Sequence, residues 1–164
     1  FIFLQKMTFK EFLIIFSMII FGSILDDFVS SKIGNFYLHT NFAYLVFSYW
    51  VFACPEKIGV LFSIIFGLTI DLISGSSIGF HVFMYLLFAY IIHIYSFTFR
   101  LFSYIQLAVF FGGTATFVTT INYLIEHTAN YSYANIFIAL VFHIIIWIPF
   151  YKFIRFARQL SMNG

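Results

Sequence analysis

The stretch GLTIDLISGSSIGFHV, Gly67 to Val82, sets a carboxylate, a cluster of glycines and serines, and a histidine inside an otherwise apolar chain. Asp71 lies between Ile70 and Leu72, where hydropathy alone forbids a charge. A charged side chain at a bilayer centre costs about 2.5–3.5 kcal/mol on insertion scales. A helix C-terminus adds to that cost, because the helix dipole is negative there. Asp71 therefore requires a partner, a water-filled vestibule or a proton. Donors stand just beyond it: the hydroxyls of Ser74, Ser76 and Ser77, and the N–H groups that open the next helix. Ser76 or Ser77 suits the N-cap of that helix, and Gly75 and Gly79 let the chain turn without a Cβ penalty. The expected arrangement is a lock in which Asp71 accepts hydrogen bonds from the turn. Partner recognition and ion or proton transport are the rival readings.

Outward from this stretch, composition names the solvent. An ordinary soluble domain is about 25% charged, whereas this chain of 164 residues is 9% charged and 63% hydrophobic. Its mean hydropathy is +1.03. Too little polar surface remains to cover a water-soluble globule, so the chain reads as an integral membrane protein. A signal peptide explains one apolar run near the N-terminus but not several along the length. The sequence opens on Phe1 rather than Met, so a few residues are expected to be missing there. The single cysteine, Cys54, leaves no intrachain disulfide and no cysteine-based metal site. No CxxC, Walker-type, GxSxG or HExxH pattern occurs. A formal charge of +2 from scattered residues leaves no nucleic-acid footprint.

A spanning helix needs about 20 apolar residues. Polar punctuation divides the chain into six such lengths: 9–25, 37–54, 58–73, 78–95, 101–125 and 132–154. The expected fold is all-α, a six-transmembrane-helix bundle forming one integral membrane domain over residues 1–164. Alternating strand periodicity is absent, which argues against a β-barrel. Lys6, Lys10, Lys57, Arg100, Lys152, Arg155 and Arg158 fall on one side and Lys32 alone on the other. By the positive-inside rule, both termini are cytoplasmic.

Small residues recur at four-residue spacing in two segments: Gly59, Ser63, Gly67 and Asp71, and then Ala108, Gly112, Thr116 and Thr120. Such stripes let helices approach closely, either within the bundle or against a partner's membrane helix. The first segment offers only Ser17, Gly22 and Ser23, a poor stripe. Pro149 frees the carbonyl of Ile145 and predicts a kink. His143 reads as a neutral histidine hydrogen-bonded across the bundle. With His39, His81, His93 and His127 at scattered places, no metal centre is expected. Tyr49 and Trp50 suit the cytoplasmic interface. Pro55 ends the second segment at Cys54, and Asn41 caps its start or reaches a neighbour.

Residues 49–90, YWVFACPEKIGVLFSIIFGLTIDLISGSSIGFHVFMYLLFAY, resemble the signature of the rod shape-determining protein MreD family. The pattern is met by Tyr49, Trp50, Pro55, Gly67, Asp71, Leu72, Gly75, Gly79 and His81, with Asn41 nine residues before Trp50. The resemblance implies a non-enzymatic, cofactor-free component of the bacterial inner membrane that acts in cell elongation. It implies pairing with MreC, through that protein's membrane helix and juxtamembrane region. MreB, RodA and a class B penicillin-binding transpeptidase are implied as indirect partners in peptidoglycan synthesis. The fold so implied looks like that of the substrate-binding subunits of energy-coupling factor transporters. The ten residues named are then candidates for structural or partner-binding roles. One rival is a vitamin-type small-molecule subunit of a transporter, with Asp71, His81, Asn122 and Glu126 as polar groups of a pocket. Another, an enzyme on lipid-linked substrates, needs a phosphate clamp, and the outer side carries only Lys32.

Overall fold

The computed structural model of the chain describes residues 7–33, 36–126 and 132–162. Lys6 and His127 lie outside the described residues. The elements run α1 (Phe9–Val29), β1 (Ser31–Ile33), β2 (Phe36–Leu38), α2 (Phe42–Ala53), α3 (Val60–Ser74), α4 (Phe80–Ile94), α5 (Ser96–Arg100), α6 (Tyr104–Glu126) and α7 (Tyr133–Met162). Three helical stretches are long and apolar enough to cross a membrane: Phe9–Val29, Tyr104–Glu126 and Tyr133–Leu160. α2, α3 and α4 are apolar but shorter, at 12, 15 and 15 residues.

Several boundaries differ from those expected of the sequence. α1 does not stop at Leu25 but carries Asp26 and Asp27 as helical residues up to Val29. The expected 37–54 helix begins only at Phe42, because its first residues pair as a strand. β1 and β2 form an antiparallel hairpin with Lys32 opposite Tyr37, a small two-stranded addition to an all-α bundle. The expected 101–125 segment starts at Tyr104, where Ser103 and Gln106 satisfy each other's backbone N–H groups in a capping exchange. α7 continues beyond Ile154 to Met162, with Pro149 inside it.

At about 1.5 Å per residue, α2 is only about 18 Å long, well short of a hydrocarbon core of about 30 Å. A short helix flanked by irregular backbone is tolerated at membrane depth where protein encloses it. α2 meets that condition: every residue from Phe42 to Val51 is buried, and α1, α4, α6 and α7 pack around it. The rings of Tyr49 and Trp50, expected to suit the cytoplasmic interface, are buried within the bundle. The Tyr49 ring meets that of Tyr151 edge to face, with ring centroids 5.2 Å apart. Aromatic packing fills the rest, with Phe47 stacked on Tyr85 at 4.3 Å and Phe111 against Trp147 at 4.7 Å.

The helices pair consecutively, α1 with α2, α3 with α4 and α6 with α7. In each pair a glycine stands directly against the backbone of the partner helix. A Cβ on Gly22 would lie 2.9 Å from the Ala43 nitrogen, one on Gly67 2.5 Å from the Val82 Cα, and one on Gly112 2.8 Å from the Ile144 nitrogen. Only hydrogen fits at those three crossings. Gly22 belongs with the other two, although its segment looked a poor stripe in sequence.

Charge separates along the bundle axis. Asp26, Asp27 and Glu126 converge at one end. At the opposite end Lys57 binds Glu11 at 2.6 Å, and Arg100 shares a recess with Lys57 and Cys54. Arg158 reaches Cys54 and lies over the Tyr49 ring at the same end. These are called the acidic end and the basic end below.

Candidate functional site

The functional candidates concentrate at the acidic end, where two helix N-termini are buried. The first N–H groups of a helix have no intrahelical acceptor and must be satisfied from outside. α4 opens at Gly79, whose φ of 97° no side chain favours, and it has no cap of its own. Asp71, on the preceding helix, supplies the acceptors. Its Oδ2 accepts from the Gly79 N–H at 2.7 Å, and its Oδ1 from the His81 N–H at 3.0 Å. The same Oδ1 accepts from the Ser76 hydroxyl at 3.2 Å and pairs with His81 Nδ1 at 2.8 Å. Asp71 is 1% exposed, and its charge lies at the positive end of the α4 dipole. The expected N-cap serines have other tasks: Ser76 binds the carboxylate, and the Ser77 carbonyl accepts from the Phe80 N–H.

Gly75, at φ 64°, ends α3 in the left-handed conformation, and neither it nor Gly79 has an atom within 4 Å of where a Cβ would go. Both are required by backbone geometry rather than by space. A substitution there strains the turn before it alters any partner surface.

Sequence reasoning missed a second carboxylate of the same kind. Asp26 Oδ1 accepts from the Phe42 N–H at 2.6 Å and from the Thr40 hydroxyl at 2.8 Å, while Oδ2 accepts from the Ala43 N–H at 3.1 Å. It caps α2 from α1 as Asp71 caps α4 from α3. The signal was present as Gly22-Ser23-Ile24-Leu25-Asp26 beside Gly67-Leu68-Thr69-Ile70-Asp71. In both, one helical turn separates the glycine at the crossing from the carboxylate that reaches the next N-terminus.

α2 receives two further bonds. Asn41 Oδ1 accepts from the Tyr44 N–H at 3.2 Å. The Asn41 N–H itself donates to His143 Nε2 at 3.1 Å, from the middle of α7. An imidazole nitrogen that accepts carries no proton, so His143 is neutral with its proton on Nδ1, which donates to Thr116 Oγ1 at 3.1 Å. Thr116 in turn donates to the Gly112 carbonyl at 2.9 Å. The buried histidine ties α6 and α7 to the start of α2.

Of the ten signature residues, Gly67, Asp71, Gly75, Gly79 and His81 meet around the α3–α4 turn, and Asn41 lies at the same end of the bundle. Leu72 points outward, 69% exposed. Tyr49 and Trp50 lie in the core, and Pro55 lines a recess at the basic end with Arg100 and His93. Asn122 and Glu126, expected as polar groups of a pocket, do converge with His81. They line a cleft of about 150 Å³ at the acidic end, together with Asp26 and Asp27. Asp71 stays behind His81 and is not on the cleft wall. Among the described residues no group of three His, Cys, Asp or Glu side chains is arranged to hold a metal ion.

These features define a multi-pass, membrane-associated helical bundle whose buried polar groups tie helix to helix. A family model for the rod shape-determining protein MreD matches residues 6–157, nearly the whole chain. The chain belongs to the MreD family. Membership is consistent with a role in rod shape and cell elongation, among the components of the elongation machinery. No curated protein and no solved structure matches the chain.

Proposed function

We propose that this protein is a non-enzymatic scaffold of the bacterial cell-elongation complex, set in the inner membrane as a single domain. In this reading all six long or intermediate helices cross the bilayer, with the basic end and both termini in the cytoplasm. The segregation of Lys57, Arg100, Arg155 and Arg158 from Asp26, Asp27 and Glu126 supports that orientation. The fold would then be of the kind found in the substrate-binding subunits of energy-coupling factor transporters.

The observation that carries the scaffold reading is the family match across residues 6–157. The use of Asp71 agrees with it, since the four hydrogen bonds go to the α3–α4 turn, at Ser76 and Gly79, and to His81 in the first turn of α4. MreC is the direct partner in this reading, and MreB, RodA and a class B penicillin-binding transpeptidase are reached through the complex. The outward side chains beside the lock, Leu72 and Ile78, form the contact surface we assign to MreC; Ile78 is 80% exposed. Photo-crosslinkers placed at Leu72 and Ile78 are expected to capture the MreC membrane helix. Capture from Phe137 or Ile145 on α7, and not from these positions, would move the interface to the other side of the bundle.

The second reading, a small-molecule subunit of a transporter, draws support from the polar cleft. Copurification of a transporter ATPase in place of elongation proteins would favour it.

A further inference from the structure

At the basic end the link from α2 to α3 meets the end of α4 and the short helix α5. His93 donates from Nε2 to the Ile58 carbonyl at 2.7 Å, which fastens the end of α4 to that link. Between them lies a recess of about 540 Å³, lined by Pro55, Glu56 and Gly59 on one side and by His93, Ser96, Phe97 and Arg100 on the other. Its wall carries one carboxylate, Glu56, and one guanidinium, Arg100. Both are exposed. Among the described residues neither side chain forms an ion pair or a hydrogen bond, with the other or with a third group. The neighbouring cations are committed elsewhere: Lys57 to Glu11 at 2.6 Å, Arg155 to the Tyr104 hydroxyl, and Arg158 to Cys54.

Two opposite charges left unpaired in one recess fit an occupant that carries both. A guanidinium matches the oxygens of a phosphate. A carboxylate accepts from the three donors of a primary ammonium. α3 also starts in this recess, at Gly59, with no side-chain cap, so its first N–H groups favour the same anion as Arg100. The surroundings are apolar. Phe97 is 76% exposed, and Leu61, Ile94 and Leu101, each within two residues of the lining, are exposed as well. A free metabolite gains nothing from that collar, whereas the acyl chains of a lipid cover it. We propose that the recess holds the head group of phosphatidylethanolamine, with its phosphate on Arg100 and its ammonium on Glu56. A choline head group offers no N–H to Glu56, and a glycerol head group offers no cation. The proposal rests on the membrane placement given above and not on the partner: failure to crosslink MreC would leave it standing, and absence of lipid selectivity would leave the scaffold standing.

The test is native mass spectrometry of the full chain released from detergent micelles. The protein is titrated in turn with phosphatidylethanolamine, phosphatidylcholine and phosphatidylglycerol of the same acyl chains. Saturable binding of phosphatidylethanolamine, about tenfold tighter than either of the others, is expected, the size of one charge-assisted contact. Arg100→Gln should weaken that binding about tenfold. Glu56→Gln should bring phosphatidylethanolamine down to the level of phosphatidylcholine and leave phosphatidylcholine unchanged, a selective loss that a loosened fold would not produce. Glycerophosphoethanolamine, the same head group without acyl chains, should compete poorly. Equal retention of the three lipids, phosphatidylglycerol held as tightly as phosphatidylethanolamine, or parental affinity in either variant would overturn the proposal. So would competition by the chain-free head group as strong as that of the intact lipid.

Discussion

In the α1–α2 hairpin Asp26 stands four residues after Gly22, and in the α3–α4 hairpin Asp71 stands four residues after Gly67. Each glycine lets the backbone of the next helix approach, and each carboxylate then reaches that helix's first N–H groups. The closures differ. The α3–α4 turn takes five residues, Gly75 to Gly79, with two left-handed glycines. The α1–α2 link takes twelve, Ser30 to Asn41, and includes the strand hairpin. The bonding differs too. Asp71 engages a histidine side chain, whereas Asp26 has the Thr40 hydroxyl and no imidazole. What the two share is the spacing from crossing to carboxylate. The lock is therefore a property of the helix pair, and the loop is free to vary.

The comparison breaks most severely at Asp71. Asp71→Leu strips acceptors from two backbone N–H groups, a serine and a histidine at a buried site, and should cost about 3–5 kcal/mol, as for loss of one member of a buried charged pair. Asp71→Asn keeps one acceptor oxygen but turns an NH₂ group toward donors, so it should fall between the parent and Asp71→Leu. Thermal unfolding in detergent measures both. Equal, parental stability for the two would show that the turn does not depend on the carboxylate.

Next come the crossings. Gly67→Ala sets a Cβ against α4 backbone at 2.5 Å, while Gly22→Ala meets α2 backbone at 2.9 Å. Backbone cannot rotate away as a side chain can. Overpacking of this kind costs about 1–3 kcal/mol, with Gly67→Ala expected toward the upper bound and Gly22→Ala toward the lower. The reverse order in paired melting curves would mean that α2, enclosed on all sides, yields less than α4.

Asp26→Asn should be milder than Asp71→Asn. Its Oδ1 can keep the Phe42 N–H and Thr40 hydroxyl while only the Ala43 N–H loses its acceptor, a deficit of about 1–3 kcal/mol. Hydrogen exchange at the start of α2 should rise in this variant and stay unchanged at the start of α4. Faster exchange at both N-termini would indicate one coupled lock rather than two.

The two hairpins also explain how much of this protein was legible in its sequence. The α3–α4 lock could be read because its donors follow Asp71 within ten residues and because Gly75, Ser76, Ser77 and Gly79 announce a turn. Asp26 lies next to Asp27, and a pair of carboxylates after an apolar run looks like the end of a span. Its donors are 14 to 17 residues away, beyond a strand hairpin that the apolar run from Phe36 concealed. The enclosure of α2 was equally hidden. Tyr49 and Trp50 have the chemistry of interface residues, and only the packing of four other helices around them makes them core. His143 was legible as a bridge, but its far partner, the Asn41 N–H, is 102 residues away and leaves no local trace.

The smallest expected effect falls on Leu72, which follows the lock carboxylate in the family signature. Its side chain turns away from the hairpin and is 69% exposed, so Leu72→Ala should change stability by no more than about 0.5 kcal/mol, as for an outward substitution that touches no special feature. Its counterpart in the first hairpin, Asp27, is exposed as well, so neither position following a lock carboxylate supports its own fold. Any loss of MreC recovery in Leu72→Ala is then a surface effect, uncontaminated by loosening of the turn. Measuring recovery and melting temperature on one preparation separates support of the fold from the partner binding proposed for this surface. A drop in melting temperature comparable to that of Asp71→Asn would instead assign Leu72 to the lock and remove it from the partner surface.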